Sequence, residues 1–251
     1  MIKIVLFGSG NVATQLAKAF LKSDAVKIIQ VFSRNNSIPF LKNHQIEIIN
    51  DLQQLKKADI YLIAISDDAI ASFSQKIPFK NVLTVHTSGA VPLQVITAEK
   101  KGVFYPLQSI SKSKKINFKK VPICIEASSK KDRKLLKKLA KSISDKVYKI
   151  DSEQRKNLHV AAVFVNNFVN HLYAIAEEIC VEKNVPFKIL QPLIKETAKK
   201  TEKLSPYQAQ TGPAKRRDKK TIAKHVKLLN EEQQKIYKLL TSSITKKHSK
   251  K

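Results

Sequence analysis

Up to about residue 150, the apolar residues come in short runs rich in Val, Ile and Phe, closed by Gly, Ser, Asn or Asp. Such runs predict buried strands at 3–7, 27–32, 60–65, 82–86, 102–105, 121–126 and 146–150. Helical spacing separates the first two runs, follows Asp67 and returns around 132–142. Alternation of strand and helix predicts a doubly wound, mostly parallel sheet. From Asp151 onward strand-like runs vanish and helical periodicity takes over. Asp151 with Gln154 reads as a capping box that opens a long helix over 152–183, broken before Pro186. A second helix is expected over 187–203, and Ser205-Pro206 opens a third segment. Thr211-Gly212-Pro213 forces a turn, Asp218 caps a helix through Leu229, and 231–245 supplies the last. The expected organisation is an α/β domain over 1–150, an all-α domain over 151–245 that binds substrate or dimerises, and a disordered basic tail over 246–251.

The first strand is the most informative, because it breaks into Gly8-Ser9-Gly10-Asn11-Val12-Ala13 and then into helical spacing. Strand, glycine turn and helix N-terminus in that order cradle a dinucleotide pyrophosphate. Gly8 permits the tight turn, Gly10 lets backbone approach phosphate, and Ala13 lets the helix pack on the strand. The unpaired N–H groups of the first helical turn face the anion. In the NAD-type arrangement an acid ends the second strand, but here that strand ends Val31-Phe32-Ser33-Arg34-Asn35. Ser33 can donate to a 2′-phosphate and Arg34 can pair with its charge, so NADP is favoured over NAD. The alternative is a polar strand end with no ligand. Backbone at Ile65 and Ser66 lies at the same sheet edge and joins the cofactor set, whereas Asp67 and Asp68 read as caps of the following helix.

The formal charge of +27 raises a nucleic-acid reading, yet 42 of the 47 basic residues are Lys and five are Arg, spread over most of the chain with a dense block over 112–149. Readers of nucleic acid lean on Arg for its planar fork, so the charge is read as a solvated surface with no specific nucleic-acid partner. The gaps between lysines are more telling: 157–182 carries neither Lys nor Arg, and 58–75 and 81–99 are similar. Core and site are expected to meet in these windows. No signal peptide or membrane-spanning stretch is expected, and Cys124 and Cys180 alone offer neither a disulfide framework nor a metal site. A reducing cytoplasm is the simplest setting.

Candidate chemistry falls in the lysine-poor windows. His86-Thr87-Ser88-Gly89-Ala90 follows directly on a strand, so His86 and Ser88 are placed at the sheet edge as proton donor and substrate contact, with Gly89 allowing close approach. A strand-end turn with a hydrogen-bonded His is the equal alternative. At 100° per residue, His159, Asn166, Asn170, Tyr173 and Glu177 share one side of the long helix, and Val165, Phe168, Leu172, Ile175 and Ile179 the other. A polar side built from His and Asn rather than Lys points to a cleft or a second subunit. His159 and Asn166 are therefore candidate catalytic residues and Asn170 a substrate contact, against hydrogen bonds between domains. Arg216, after the Gly212-Pro213 turn, could clamp an anionic substrate or be solvated.

GSGNVA, ISDDAI, HTSGAVPL, FYPLQSIS and TGPAKRRD together resemble the Rossmann-like family that bears a C-terminal helical domain of unknown function. That family is related to the 6-phosphogluconate dehydrogenase, ketopantoate reductase and pyrroline-5-carboxylate reductase group. The resemblance covers nearly the whole chain and implies an NADP-dependent oxidoreductase that dimerises through its helical domain. It matches Gly8, Gly10 and Ala13 for the cofactor, His86, Ser88 and Gly89 for the sheet-edge motif, and Gly212, Pro213, Arg216 and Asp218 for the late loop. Two departures stand out: Arg217 occupies a position where a small residue such as Gly is expected, and the Lys that many related dehydrogenases carry on the first long helix is missing, with His159 nearest. The combined expectation is hydride transfer between NADP(H) and a carbonyl or imine of a small anionic substrate in a cleft between the domains, with no metal. The alternative is an NADP-binding sensor or scaffold without turnover.

Overall fold

The computed structural model of the protein describes residues 1–34, 38, 41, 44–111 and 114–249. Asn35, Lys112, Lys250 and Lys251, which figure in the expectations above, lie outside the described residues. The chain forms two compact units, 1–166 and 167–251.

The first unit is an eight-stranded sheet of order β3-β2-β1-β4-β5-β6-β7-β8. Its strands are β1 (Ile2–Phe7), β2 (Val26–Phe32), β3 (Glu47–Ile49), β4 (Ile60–Ile63), β5 (Leu83–His86), β6 (Lys101–Pro106), β7 (Ile123–Ala127) and β8 (Val147–Lys149). All neighbours run parallel except β6 and β7. The order reverses at β1, which lies between β2 and β4. Ligands of open α/β sheets bind outside the carboxyl ends of the strands at such a reversal. The three-residue β3 was not expected, and its residues pair with β2 from Gln30 to Phe32. A segment this short carries too little alternation to register as a strand. β4 stops at Ile63 rather than 65, although the Ala64 N–H still donates to Phe7 O at 2.8 Å.

Helix α1 (Asn11–Phe20) buries Ala13, Leu16, Ala17 and Phe20 on the sheet. Each large side chain there contributes roughly 1.5–3 kcal/mol. Its buried Gln15 donates to Ser111 O at 2.8 Å and Lys114 O at 3.0 Å, which ties down the loop after β6. Helices α2 (Asp67–Lys76) and α3 (Lys130–Lys141) follow β4 and β7. Helix α4 (Ser152–Ala162) starts with the expected capping box, Asp151 and Gln154 bonding reciprocally.

Strands end near residue 150, yet the first turns of α4 belong with the sheet. The Arg155 side chain is 1% exposed and pairs with Glu126 of β7. It also donates to Val91 O at 2.6 Å, and Ser152 donates to the same Glu126 at 2.8 Å. These contacts carry the first unit past the expected boundary to Asn166.

Beyond Ala162 the chain passes through a π-helical stretch, Val163–Phe168, into α5 (Val169–Glu182). Helix 152–182 was expected to be regular. A π turn holds more residues than an α turn, so it breaks the 100° spacing on which that expectation rested. By length and composition this helix is apolar enough to cross a membrane, which corrects the expectation that no stretch reaches that length. Its first turns are nonetheless tied to the sheet by Arg155 and Ser152.

The second unit holds α5, α6 (Gln191–Lys200), α7 (Pro206–Ala209), α8 (Pro213–Arg216), α9 (Lys219–Lys227) and α10 (Glu231–Lys247). The helix expected from residue 187 begins as a 3₁₀ turn, Phe187–Leu190, because Pro192 fits only the first turn of α6. Gly212 has φ +102° and opens α8, and Asp218 caps α9 by accepting the Thr221 N–H at 3.0 Å. Arg217 has φ +57°, the left-handed conformation in which a glycine would be unstrained. That explains the residue type expected there. The tail expected to be disordered from 246 is instead helical to Lys247. His248 stacks on Tyr207 at 4.3 Å and Arg217 donates to Ser249 at 2.9 Å.

Candidate functional site

A cavity of about 900 Å³ lies at the carboxyl ends of the strands of the first unit. Its lining starts with Phe32, Ser33 and Arg34 after β2 and passes Gly8 to Val12 after β1. It continues through Ala64 to Asp67 after β4 and reaches Thr87, Ser88 and Gly89 after β5, with His159 of α4 beside them. Of the expected cofactor residues, Gly8, Ser9, Gly10, Asn11, Val12, Ser33, Arg34, Ile65 and Ser66 all line it, and Ala13 is buried directly behind.

The two glycines do different work. Gly8 has φ +115°, and a Cβ there would stand 2.3 Å from Ala64 O, so the turn and the closeness of β4 both require glycine. A Cβ on Gly10 would meet no protein atom within 4 Å. Gly10 therefore keeps open a space that belongs to the cavity. The first bond of α1 runs from Thr14 N–H to Gly10 O at 2.9 Å, which leaves the N–H groups before it directed toward an anion. The residues present thus fit a dinucleotide pyrophosphate.

Ser33 departs from its expected role. It is 3% exposed, its hydroxyl donates to Ser9 Oγ at 3.1 Å, and its N–H donates to Ile49 O at 2.9 Å. Ser33 ties the end of β2 to the glycine turn, and Arg34 after it is exposed on the cavity lining.

His86 is corrected outright. It is 0% exposed and does not line the cavity, and its Nδ1 accepts the Ser88 N–H at 3.2 Å. Burial, reinforced by the charge of Arg155, lowers its pKa to about 4 against an opposing influence of the Pro92 carbonyl. A neutral ring sealed from solvent shapes the turn and cannot serve as the proton donor. Ser88 is likewise engaged: its hydroxyl donates to Asp67 Oδ2 at 2.8 Å and accepts from the Ala90 and Val91 N–H groups at 3.1 and 3.0 Å. One donor and two lone pairs are the full inventory of a hydroxyl, so Ser88 holds the turn and Asp67 rather than a substrate.

Asp67 and Asp68 occupy the first turn of α2 and not its cap, which is Ser66. Asp67 lines the cavity and is the acidic residue among the described residues that do. Its partner across the loop, Ser88, is twenty-one positions away, a pairing that periodicity does not reveal.

His159 lines the cavity, and its Nδ1 lies 3.1 Å from the Tyr105 hydroxyl. Gly89 packs so tightly here that a Cβ would stand 2.7 Å from both His159 Nδ1 and Tyr105 Cζ. Burial raises the Tyr105 phenol, helped by Cys124 and Asp67 and opposed by Arg155, so it stays protonated. In the tautomer in which Tyr105 donates to Nδ1, the His159 proton is on Nε2. Tyr105 was not singled out from the sequence beyond its motif, because its role exists only once β6 and α4 meet.

The remaining candidates do not join this cavity. Asn166 is exposed in the π-helical stretch and does not line the cavity. Asn170 and Arg216 belong to the second unit, where both are exposed, and neither lines the cavity. Among the described residues no cluster of three or more His, Cys, Asp or Glu could hold a metal ion.

The model of a domain of unknown function, DUF2520, matches residues 121–244. Among solved structures, a Bacteroides fragilis protein provisionally assigned as an NADP oxidoreductase is 41% identical over 98% of each chain, with a TM-score of 0.87. A Thermotoga maritima protein, 18% identical over 98% of each chain, has a TM-score of 0.76. Plasmodium falciparum pyrroline carboxylate reductase, solved with NADP bound, is 14% identical over 98% of this chain and 97% of its own, with a TM-score of 0.61. The last two share the fold. No curated protein matches the sequence. The first unit's reversal of strand order, its glycine turn and the near full-length match place this chain in the Rossmann-like oxidoreductase family that carries DUF2520 as its C-terminal domain.

Proposed function

We propose that the protein is an NADP(H)-dependent oxidoreductase that transfers a hydride to or from the carbonyl or imine carbon of a small substrate. The observation that carries the reading is the cavity of about 900 Å³ that joins Arg34, the glycine turn and His159 along one sheet edge. The assignment of the Bacteroides fragilis relative supports it. A bound dinucleotide supplies the hydride, and the protein supplies orientation and proton transfer. In this arrangement Arg34 takes the adenosine-side phosphate, and the N–H groups after Gly10 take the pyrophosphate. As His159 Nε2 gives its proton to the oxygen or nitrogen of the reduced group, Nδ1 takes the proton of the Tyr105 hydroxyl, so the ring stays neutral and solvent re-protonates the phenol. Asp67, anchored by Ser88, is the charged group that the structure sets on the Ser88–Gly89 turn.

The first test is ligand-dependent stabilisation. At millimolar NADPH, well above a micromolar Kd, melting should shift by the equivalent of about 4 kcal/mol, and no shift would remove the proposal. Given binding, His159→Gln should abolish turnover of any carbonyl or imine that oxidises NADPH while leaving NADPH binding unchanged.

We also propose that the protein forms a homodimer through the helical region. Val160, Val165, Leu172 and Val181 stand 53%, 74%, 37% and 69% exposed within the lysine-free stretch. Sedimentation should give a dimer that Val165→Glu weakens.

A further inference from the structure

Helix α2 runs along the cavity with opposite charges at its two ends, Asp67 in its first turn and Lys76 in its last, and both line the cavity. Nine residues at 1.5 Å each set their backbones about 13 Å apart. Asp67 bonds to Ser88 and so marks the His159 end. The other end is fixed by Phe73, three positions before Lys76 and on the same side of the helix. Its ring lies 5.3 Å from Phe32, the last residue of β2, which leads directly into Ser33 and Arg34. The last turn of α2 therefore stands at the Arg34 end.

Three further observations bear on Lys76. Ser33, the hydroxyl expected to meet a 2′-phosphate, is committed to Ser9. The acid among the lining residues, Asp67, is at the far end of α2. Of the chain's 42 lysines, Lys76 is the one that lines the cavity among the described residues.

We propose that Lys76 and Arg34 together form the subsite for the 2′-phosphate of the dinucleotide, and that Lys76 is a determinant of preference for NADP(H) over NAD(H). The inference rests on the dinucleotide reading above and adds a residue that the sequence did not offer. A ribose 2′-phosphate carries close to two negative charges, which Arg34 can meet with a planar fork and Lys76 with a compact point charge. A ribose with a free 2′-hydroxyl gains nothing from Lys76, so the residue discriminates between the two cofactors. A lysine in the last turn also complements the helix dipole, but that effect is present without nucleotide and is equal for both cofactors.

The test is fluorescence titration of the full-length protein with NADPH and with NADH at physiological salt. Wild type, Lys76→Gln, Arg34→Gln and Lys141→Gln are compared. Lys141, an exposed lysine in the last turn of α3, controls for general attraction by a chain of charge +27. Wild type should prefer NADPH. Lys76→Gln should weaken NADPH binding about tenfold, as expected for loss of one charge-assisted contact, and leave NADH within about twofold. Lys141→Gln should change neither. Lys76→Gln that keeps wild-type NADPH affinity, or loses both nucleotides equally, overturns the assignment while the dinucleotide reading stands. A wild type that binds neither nucleotide overturns that reading and this assignment together.

Discussion

The ion pair that fastens α4 to the sheet offers a sharp test, because His159 sits one helical turn beyond it. Arg155 is 1% exposed and its guanidinium has three partners, Glu126, Val91 O and Ser152 Oγ. Glu126→Gln keeps the shape and one acceptor but removes the charge that offsets the buried cation. Breaking a buried pair from one side costs about 3–5 kcal/mol, and the retained amide oxygen places this change near 3. At 2–4 °C per kcal/mol for a chain of this size, calorimetry should show melting fall by roughly 6–12 °C. Removing both charges is different, since a well-packed apolar replacement of a buried pair is often neutral. Glu126→Gln with Arg155→Met should therefore recover most of the loss. If the single variant melts within about 2 °C of wild type, or if the double variant is the worse of the two, the account of this pair is wrong.

Four other outcomes follow from the same geometry. His86 has a folded pKa of about 4 against 6.5 for the free group, so between these values the unfolded chain binds more protons. Its share of stability is complete above pH 6.5 and falls as pH drops toward 4, by about 3 kcal/mol at 1.36 kcal/mol per unit. Urea titrations of wild type and His86→Asn across pH 4 to 7 should diverge accordingly, and parallel curves would refute the burial argument. Gly8→Ala should destabilise by about 2 kcal/mol or more through its positive φ and its clash with Ala64. Gly10→Ala should melt within about 1 kcal/mol of wild type yet bind NADPH at least about tenfold more weakly, because its Cβ enters space that only a ligand fills. Gly89→Ala should displace His159 and Tyr105, and nitrogen NMR of the His159 ring should show the Nδ1 signal shift as its bond to Tyr105 is lost.

Much of this molecule was legible in the sequence because it rests on local physics. Strands β1, β2, β4 and β5 are apolar runs whose burial requires no knowledge of their neighbours, and the turn after β1 is a backbone requirement written in Gly8. Capping residues such as Asp151 and Asp218 bond within three positions, so their spacing is enough. The three-residue β3 and the π-helical stretch escaped, since the first is held by pairing with β2 and the second breaks the very period by which helices are recognised.

The site depended on tertiary structure for the opposite reason. Whether a hydroxyl, an imidazole or a carboxylate is free to act is set by partners twenty or more positions away. Ser88 is used up by Asp67, Ser33 by Ser9, and His86 is sealed and neutral, while His159 becomes a site residue only where Tyr105 and Gly89 meet it. Sequence alone determined the nucleotide fold, through the backbone demand of Gly8, the open space kept at Gly10 and the periods of its strands and helices. Only the folded chain decided which polar side chains remain available to a ligand, because hydrogen-bond capacity and solvent access are spent in three dimensions.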